Sequence, residues 1–557
     1  MKIPSSVRWR STSCLMLALP FFSDAQPARS APPPVIIPDL SSYILTPAPA
    51  RTPRITGAKI YGQRPGSPFL FTLTATGDRP MTFSADGLPP SLKLDPATGR
   101  ITGVVAQAGR FTVHVGAKNA LGAASRELRL VIGDQIALTP PMGWNSWNSW
   151  AGDVDQGKVL RSARVLVSSG LVDHGWTYVN IDDTWQGTRA GKDHALLANE
   201  KFPDLKGLCD ELHAMGLKAG IYSTPWITSY ASYPGGSSDD PAGAWSKAGL
   251  GNERAHRIGQ YHFADADAAQ LAAWGFDYLK YDWNIDVPTT QEMSDALRKT
   301  GRDIALSLSN TAPFKNAADW ARLAQAWRTT GDITDTWVAG NRSWNNGIAK
   351  IGFTQDRWSP FGGPGHWNDP DMLVIGVVSV SQPMHFTHLT PDEQYTHISL
   401  WSLLAAPLLI GCDLERVDPF TLSLLTNDEV LDVDQDPLGK GAVRVAGPEF
   451  YVPPRAARNG AAGTPASQPA ASASADNPGG NGLVYARPLE DGSLAVGLFN
   501  VGSREEKITA TWKDLGVDGK RGVRDLWRQK DLGVFENEFT ATVPSHGVVL
   551  VKIRPAN

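Results

Sequence analysis

The pattern of apolar and polar positions changes twice along the chain. From about residue 53 to 134, short alternating runs such as "FLFTLTA" and "RFTVHVGAKN" are separated by turns rich in Gly, Pro and Asp. From about 138 to 430, apolar strand-like runs such as "WTYVNID" alternate with longer helix-like segments such as "FPDLKGLCDELHAMG". From 431 to 557, short alternating runs return. Alternation with a period of two predicts β-strands, so the chain is expected to have β-sandwiches at both ends.

The repeated βα units of the middle region favour a parallel sheet, and a closed eightfold barrel suits this length better than an open sheet. The predicted fold class is therefore multidomain. It comprises an N-terminal immunoglobulin-like β-sandwich (53–134), a central (β/α)8 barrel (138–430) and a C-terminal antiparallel β-sandwich (431–557). An Ala/Ser/Pro/Gly-rich tract at 453–482 contains too little apolar surface to fold and predicts a disordered loop.

The first 52 residues predict export rather than a folded domain. Lys2, Arg8 and Arg10 precede an apolar run at 14–22, and small residues follow near Ala25, which is typical of a signal peptide over 1–25. Residues 26–52 are Pro-rich and predict an extended linker or a surface-wrapping arm. The apolar run is shorter than the roughly 20 residues of a membrane span. We expect an exported protein, periplasmic or extracellular, with no membrane partner.

Composition narrows the choice of partner. The net charge of −4 provides no basic stripe, so nucleic acid is not expected as a partner. The 19 tryptophans suit stacking on sugar rings, although core packing would account for most of them. Cys209 and Cys412, the cysteines beyond the predicted signal peptide, are expected to be unreactive core thiols. Because the sequence shows neither a zinc-type Cys/His spacing nor a "GxGxxG" motif after a strand, no metal and no cofactor are predicted.

Polar residues recur on one face of successive predicted strand ends. In "YLKYDWN" (278–284), Lys280 and Asp282 share a face because side chains on a strand alternate with a period of two. One such strand would fit a lone structural ion pair. The same pattern recurs at other strand ends, with Asn180, Asp182 and Asp183, with Tyr222, with Ser307 and Ser309, and with Arg328, Thr330 and Asp332. Because strand ends converge at the mouth of a barrel, these residues are predicted to line a pocket.

Two carboxylates in such a pocket suit glycoside hydrolysis, in which one attacks the sugar or orients water and the other protonates the leaving oxygen. We expect Lys280 to keep the Asp282 carboxylate ionised, as a nucleophile requires. Asp332 would have to hold a proton at the working pH, which requires burial or a like-charged neighbour. Surface-exposed loop acids are the alternative interpretation for any one of these aspartates.

Six motifs carry a resemblance to a known family. They are "PPMGWNSWNSW", "YVNIDDTW", "LKAGIYS", "YLKYD", "WRTTGDI" and "GPGHWNDPDML", within about 138–555. In this order they resemble glycoside hydrolase family 27, which includes α-galactosidases and α-N-acetylgalactosaminidases. The stretch "GLPPSLKLDPATGRITG" (87–103) resembles bacterial immunoglobulin-like modules attached to secreted enzymes. The resemblance implies a secreted, retaining exo-glycosidase that removes terminal α-linked galactose from oligo- or polysaccharides by double displacement.

The resemblance also implies roles for individual residues. Asp282 would be the nucleophile and Asp332 the acid/base. The substrate-binding residues it implies are Trp147 as a hydrophobic floor, Asp182 and Asp183 for the 4- and 6-hydroxyls, Tyr222 and Lys280 for the ring hydroxyls, Arg328 and Asp371 for the 2-hydroxyl side, and Ser309 beside the 2-substituent. Asp369 of the same "WNDPD" motif is a second choice to Asp371.

Two alternatives remain at this stage. Ser309 and Ala312 stand at the spacing at which the N-acetylgalactosaminidases of the family carry Ser and Ala, so that activity is one alternative. The other is a catalytically silent sugar-binding protein, since a fold does not fix a function; the Asp282/Asp332 pair argues against it. Many eukaryotic members carry Cys after "KYDN", whereas this chain has Trp283 and Asn284 after "KYD", so no disulfide-tethered loop is expected.

Overall fold

The computed structural model describes residues 34–244, 256–338, 346–380, 383–451, 477 and 480–556. The predicted signal peptide (1–25) and most of the predicted loop at 453–482 lie outside these residues. The chain from Ile36 onward forms one compact unit. Within the described ranges, no helix combines the length and the apolar character that a membrane crossing requires.

The N-terminal module is a small β-sandwich. A four-stranded and a three-stranded sheet enclose a core that includes Phe69, Phe83, Val113 and Leu128. The predicted alternation is seen in one long strand, where Val113, Val115 and Ala117 are buried and the residues between them are not. The strands of the module are Arg54–Thr56, Ile60–Gln63, Pro68–Thr72, Thr74–Thr76, Thr82–Asp86, Leu92–Leu94, Arg100–Val104, Gly109–Asn119 and Gly122–Ile132.

The central region is an eight-stranded parallel sheet that curls into the predicted barrel. Its strands are β1 (Met142–Asn145), β2 (Tyr178–Asn180), β3 (Lys218–Ser223), β4 (Tyr278–Tyr281), β5 (Ala305–Leu308), β6 (Ala326–Arg328), β7 (Trp367–Asp369) and β8 (Leu408–Ile410). Their order in the sheet is β7-β6-β5-β4-β3-β2-β1-β8. A parallel bridge between Leu373, just beyond β7, and Ile410 of β8 closes the ring. The fold class predicted from the sequence is confirmed.

Helices follow the strands and pack their apolar faces on the sheet. In Gln156–Ser168, for example, Val159, Ala163 and Leu166 are buried at the i, i+4, i+7 spacing of one helix face. The α-helices are Trp147–Trp150, Gln156–Ser168, Leu205–Ala214, Ala264–Trp274, Val287–Lys299, Ala317–Leu323, Ile348–Gly352, Pro391–Leu404, Pro419–Leu425 and Asp428–Asp434. The last of these crosses residue 430, where the sequence was predicted to leave the barrel.

The C-terminal domain has two buried faces. A six-stranded antiparallel sheet sends Tyr485 and Phe499 into the core of the barrel, while Val484 and Leu498 enter a separate core of its own. The strands are Val443–Ala446, Gly482–Pro488, Leu494–Asn500, Glu506–Thr511, Arg521–Asp525, Lys530–Phe535, Glu538–Val543 and Val548–Pro555. Gly482 already belongs to a strand, so the predicted loop ends before it.

The N-terminal module contacts the barrel at the N-terminal ends of its strands. The Lys218 ammonium, at the start of β3, donates to the Tyr61 hydroxyl at 2.9 Å. Arg64 pairs with Asp303, two residues before β5, at 3.2 Å. The catalytic face of such barrels is the opposite one, where the strands end. The module is therefore positioned away from the predicted site.

Candidate active site

All ten predicted site residues line a single pocket of about 430 Å³ at the C-terminal ends of the barrel strands. Each residue lies at or just after the end of a strand. They are Trp147 after β1, Asp182 and Asp183 after β2, Tyr222 in β3, Lys280 and Asp282 at β4, Ser309 after β5, Arg328 and Asp332 at β6, and Asp371 after β7. Residues far apart in sequence meet here because parallel strands deliver their ends to one face. Asp369 does not line this pocket; its carboxylate accepts the Asp371 backbone N–H at 2.8 Å.

The partner of Lys280 differs from the one expected. Its ammonium donates to Asp182 Oδ2 at 2.7 Å, whereas Asp282 takes its hydrogen bond from the Tyr222 hydroxyl at 2.9 Å. Asp182 is only 2% exposed and Lys280 17%. Burial alone would lower the pKa of the Lys280 ammonium, but Asp182 and Asp282 raise it above its ordinary value. The lysine therefore stays charged and neutralises a buried carboxylate of the pocket.

Asp282 experiences opposing influences. Burial raises the pKa of its carboxyl above the ordinary range, and the carboxylates of Asp182 and Asp332 add to the rise. The Lys280 charge and a hydrogen bond from Ser309 oppose it. Lys280 favours the ionised form of Asp282, which is the expected direction, but it acts through space because its ammonium binds Asp182 directly.

Asp332 is not buried, so the first of the two conditions expected for this residue, burial, is not met. Its side chain is 51% exposed, and one oxygen lies 3.4 Å from Arg328. It does have like-charged neighbours, because its carboxylate contributes to the raised pKa values of Asp282 and Asp371, in which burial is the larger cause. Asp332 therefore stands at the solvent-facing side of the pocket, where an incoming group can reach it.

Arg328 and Asp371 form a second buried ion pair, with 2.6 Å between the guanidinium and the carboxylate. Asp371 has a left-handed backbone (φ +109°), which costs a non-glycine residue energy. Trp401 holds this conformation by donating its indole N–H to the Asp371 carbonyl at 2.7 Å. Burial raises the pKa of the Asp371 carboxyl to about 6, although Arg328 opposes the rise. The Arg328 guanidinium and the backbone N–H groups of Ile333 and Met372 hold this carboxylate in place.

Asp183 is held by backbone groups rather than by a cation. Its carboxylate accepts N–H groups from Ala231 at 2.8 Å and from Thr184 at 2.6 Å, and the Gln186 amide at 3.0 Å. Burial nevertheless raises its pKa to about 6. These contacts fix the orientation of an acceptor at the wall of the pocket.

Two aromatic residues of the pocket wall were not predicted. Tyr230 contacts the edge of Trp147 and stacks on Trp283, with ring centroids 5.9 and 5.2 Å apart. Trp283 in turn stacks on Trp226 at 5.8 Å. Tyr230 lies in the long loop after β3, where neither spacing nor charge marked it. Trp283 was visible in the sequence only as a departure from the family's Cys.

The loop after β5 changes the interpretation of the predicted 2-position residues. Ser309 lines the pocket and contacts Asp282, whereas Ala312 does not line it and packs in the barrel core. Asn310, which the sequence did not indicate, lines the pocket instead and has a left-handed backbone (φ +61°). Both Cys209 and Cys412 are buried and free.

A pocket of paired carboxylates with an aromatic wall, at the C-terminal face of a (β/α)8 barrel, defines the chain as a glycoside hydrolase. The chain belongs to the family described as "Alpha galactosidase A", whose profile matches residues 139–251 and 243–436. The C-terminal β-sandwich domain of α-galactosidase matches 479–553, and a family described as "Putative Ig domain" matches 52–133.

Individual proteins show the same similarity. A probable α-galactosidase of Dictyostelium discoideum is 33% identical over 76% of this chain and 94% of its own length. Alpha-galactosidase 2 of Arabidopsis thaliana is 34% identical over 75% of this chain and 90% of its own. The crystal structure of a "putative alpha-galactosidase" from Bacteroides fragilis superimposes with a TM-score of 0.76 at 30% identity, covering 91% of this chain and 98% of that one.

Proposed function

We propose that the protein is a retaining exo-α-galactosidase that removes terminal α-linked galactose from oligo- or polysaccharides. The observation that carries this proposal is the arrangement of carboxylates in the pocket. Asp282 lies buried at its wall, and Asp332 lies at its exposed side. A pocket of about 430 Å³, rather than a long cleft, suits one terminal sugar. The α-galactosidases among the similar proteins support the choice of sugar.

In the first step, an oxygen of the ionised Asp282 attacks the anomeric carbon as the glycosidic C–O bond breaks. Asp332 donates its proton to the leaving oxygen, and the sugar remains as an ester of Asp282. The hydroxyls of Tyr222 and Ser309 and the charge of Lys280 favour the ionised form of Asp282 that this attack needs. The exposure of Asp332 gives it access to the aglycone oxygen.

In the second step, Asp332 removes a proton from water, and the resulting oxygen attacks the anomeric carbon from the face that the aglycone has left. The bond to Asp282 breaks, and galactose leaves with its original anomeric configuration. Both carboxylates return to their starting protonation states.

The remaining polar groups are assigned to the sugar hydroxyls. Asp182 and Asp183 would accept from the 4- and 6-hydroxyls. Lys280 would donate to the ring hydroxyls, and the Tyr222 hydroxyl would contact them. Arg328 with Asp371 would contact the 2-hydroxyl side. Trp147, with Tyr230 at its edge, would provide the apolar floor. The ion pairs hold these groups in place before substrate arrives, which reduces the cost of ordering them on binding.

A panel of nitrophenyl glycosides tests the proposal. The α-galactoside should give the highest kcat/KM, and the β-L-arabinopyranoside, which lacks the CH₂OH group near Asp183, should be at least about 100-fold poorer. A preference for the N-acetyl-α-galactosaminide would replace the proposal with the alternative activity. Binding of galactose without turnover of any substrate would support the silent sugar-binding protein instead.

We also propose that the protein is exported, to the periplasm or the cell exterior. The basic start, the apolar run at 14–22 and the small residues near Ala25 support this proposal. N-terminal sequencing of protein from its native host should find a mature chain that begins near residue 26. A mature chain that retains residues 1–25 would contradict the export signal.

A further inference from the structure

A cluster of three side chains outside the pocket has metal-type donors. Asp335 is 3% exposed, and its Oδ2 lies 3.0 Å from His385 Nε2 and 2.8 Å from His388 Nδ1. The same oxygen accepts the backbone N–H of His388 at 2.9 Å. The two imidazole rings are close neighbours, with centroids 4.5 Å apart. In the part of the chain that the structure describes, no other group of three such residues has its donor atoms within 4.8 Å.

The contacts of His385 leave one ring nitrogen available to a cation. His385 Nδ1 lies 2.8 Å from the Pro383 carbonyl oxygen, which can only accept, so this nitrogen carries the hydrogen. In a neutral ring, Nε2 then directs a lone pair at the Asp335 carboxylate, which is repulsive. A proton or a metal ion at Nε2 would each remove this repulsion, and a metal ion would use the lone pair as it does in other metal-bound histidines.

The donor atoms already converge on one point. Asp335 Oδ2 lies within 3.0 Å of a ring nitrogen of each histidine. Histidine ligands of metals typically donate their second N–H to a carbonyl or carboxylate, which fixes the ring, and the contact of His385 with Pro383 has this form.

We propose that Asp335, His385 and His388 bind a divalent metal ion of the zinc type. Zn–N and Zn–O bonds of about 2.1 Å in a tetrahedron place donor atoms about 3.4 Å apart. The distances of 2.8 and 3.0 Å from Asp335 Oδ2 to the two ring nitrogens would have to open by only a few tenths of an ångström. The His388 side chain is 46% exposed, so water can complete the coordination.

The cluster lies where a bound metal would link two loops of the catalytic pocket. Asp335 lies three residues after Asp332, in the segment whose Ile333 lines the catalytic pocket. His385 belongs to a short strand that pairs with Val377–Val378, and the following residues Ser379 and Val380 line the same pocket. A metal at this point would tie together two loops that form the pocket. The two histidines stand at a His-x-x-His spacing in "HFTH" (385–388).

The test measures zinc binding by the full-length, tag-free protein after treatment with a chelator. Isothermal titration with Zn²⁺ alone should give one site per chain, and thermal unfolding should shift upward with added Zn²⁺. His388→Gln, at an exposed position that should fold normally, is expected to weaken binding by about 100-fold or more. The matched control is His262→Gln, which alters an exposed His262–Glu292 pair and should bind zinc like the wild type.

Cobalt substitution provides a second readout. Co²⁺ in the wild-type site should give the visible absorption of a tetrahedral N/O complex, and Asp335→Asn should abolish it. The proposal is overturned if the wild type takes up no zinc, or if His388→Gln binds zinc as tightly as His262→Gln does. If Asp335→Asn fails to fold, His388→Gln decides the matter.

Discussion

Lys280→Met removes the only ammonium that contacts Asp182 directly among the described residues of the pocket. The substitution leaves the buried Asp182 carboxylate, which is 2% exposed, without a cation. Its remaining hydrogen-bond donor is the Asp183 backbone N–H at 2.9 Å. Breaking a buried pair by removing one partner typically costs 3–5 kcal/mol. Because Lys280 is 17% exposed, we expect the lower end, about 3 kcal/mol of unfolding free energy.

Three further variants separate this effect from general damage. Asp182→Asn, made alone and combined with Lys280→Met, completes a double-mutant cycle, in which the pair should show a coupling energy of about 2 kcal/mol. Lys206→Met breaks a surface pair of nearly the same length, 2.6 Å, whose side chains are 54% and 59% exposed. It should cost less than about 1 kcal/mol, because water screens the charges.

The assay is urea unfolding at neutral pH, with activity on an aryl α-galactoside measured in parallel. Lys280→Met should unfold at lower urea and lose activity, and the double variant should recover stability but not activity. If Lys280→Met is as stable as Lys206→Met, or if the two pocket substitutions are additive, the pair of Lys280 and Asp182 does not stabilise the pocket.

Three further predictions follow from the same geometry. Asp282→Asn should lower kcat by about 10⁴-fold or more, because the amide cannot form the glycosyl ester, while circular dichroism and the unfolding midpoint show a folded protein; substantial turnover would remove Asp282 from the nucleophile role. Since the pKa of Asp183 is raised to about 6 in the folded chain and is near 3.9 in the unfolded chain, its ionisation should destabilise the fold as pH rises from 4 to 7.5. Relative to Asp183→Asn, the wild type should therefore lose about 2–3 kcal/mol over this range, and parallel stability profiles would contradict the burial argument. Deletion of residues 26–134 should leave kcat/KM within about twofold, since the module contacts the opposite face of the barrel, but should lower the thermal midpoint because Lys218 and Asp303 lose their partners; a folded truncation without activity would mean that the module shapes the pocket.

Period-two alternation at strand ends predicted part of the pocket lining. Lys280 with Asp282 and Arg328 with Asp332 line the pocket as predicted, because their direction follows from the strand geometry. The same alternation also indicated Asn180, Ser307 and Thr330, which do not line it. The eightfold barrel followed from the repeated βα pattern for the same reason. These features depend on neighbours in the chain.

Contacts between distant segments could not be predicted from the sequence. The choice of Asp182 rather than Asp282 as the partner of Lys280 depends on how β2 and β4 are placed in the barrel. The exposure of Asp332 and the position of Ala312 in the core depend on loop conformations. The left-handed backbone of Asn310 could not be predicted from its neighbours in the sequence. The cluster of Asp335 with His385 joins loops fifty residues apart.

The central claim is that Asp282 forms a covalent ester and that hydrolysis proceeds with retention. Proton NMR of the hydrolysis of an aryl α-galactoside, recorded within the first minutes at high enzyme concentration, measures this directly. The account predicts that α-galactose appears first and that the β-anomer grows in only as the sugar mutarotates. Appearance of β-galactose as the first product would show inversion by a single displacement and would contradict the mechanism.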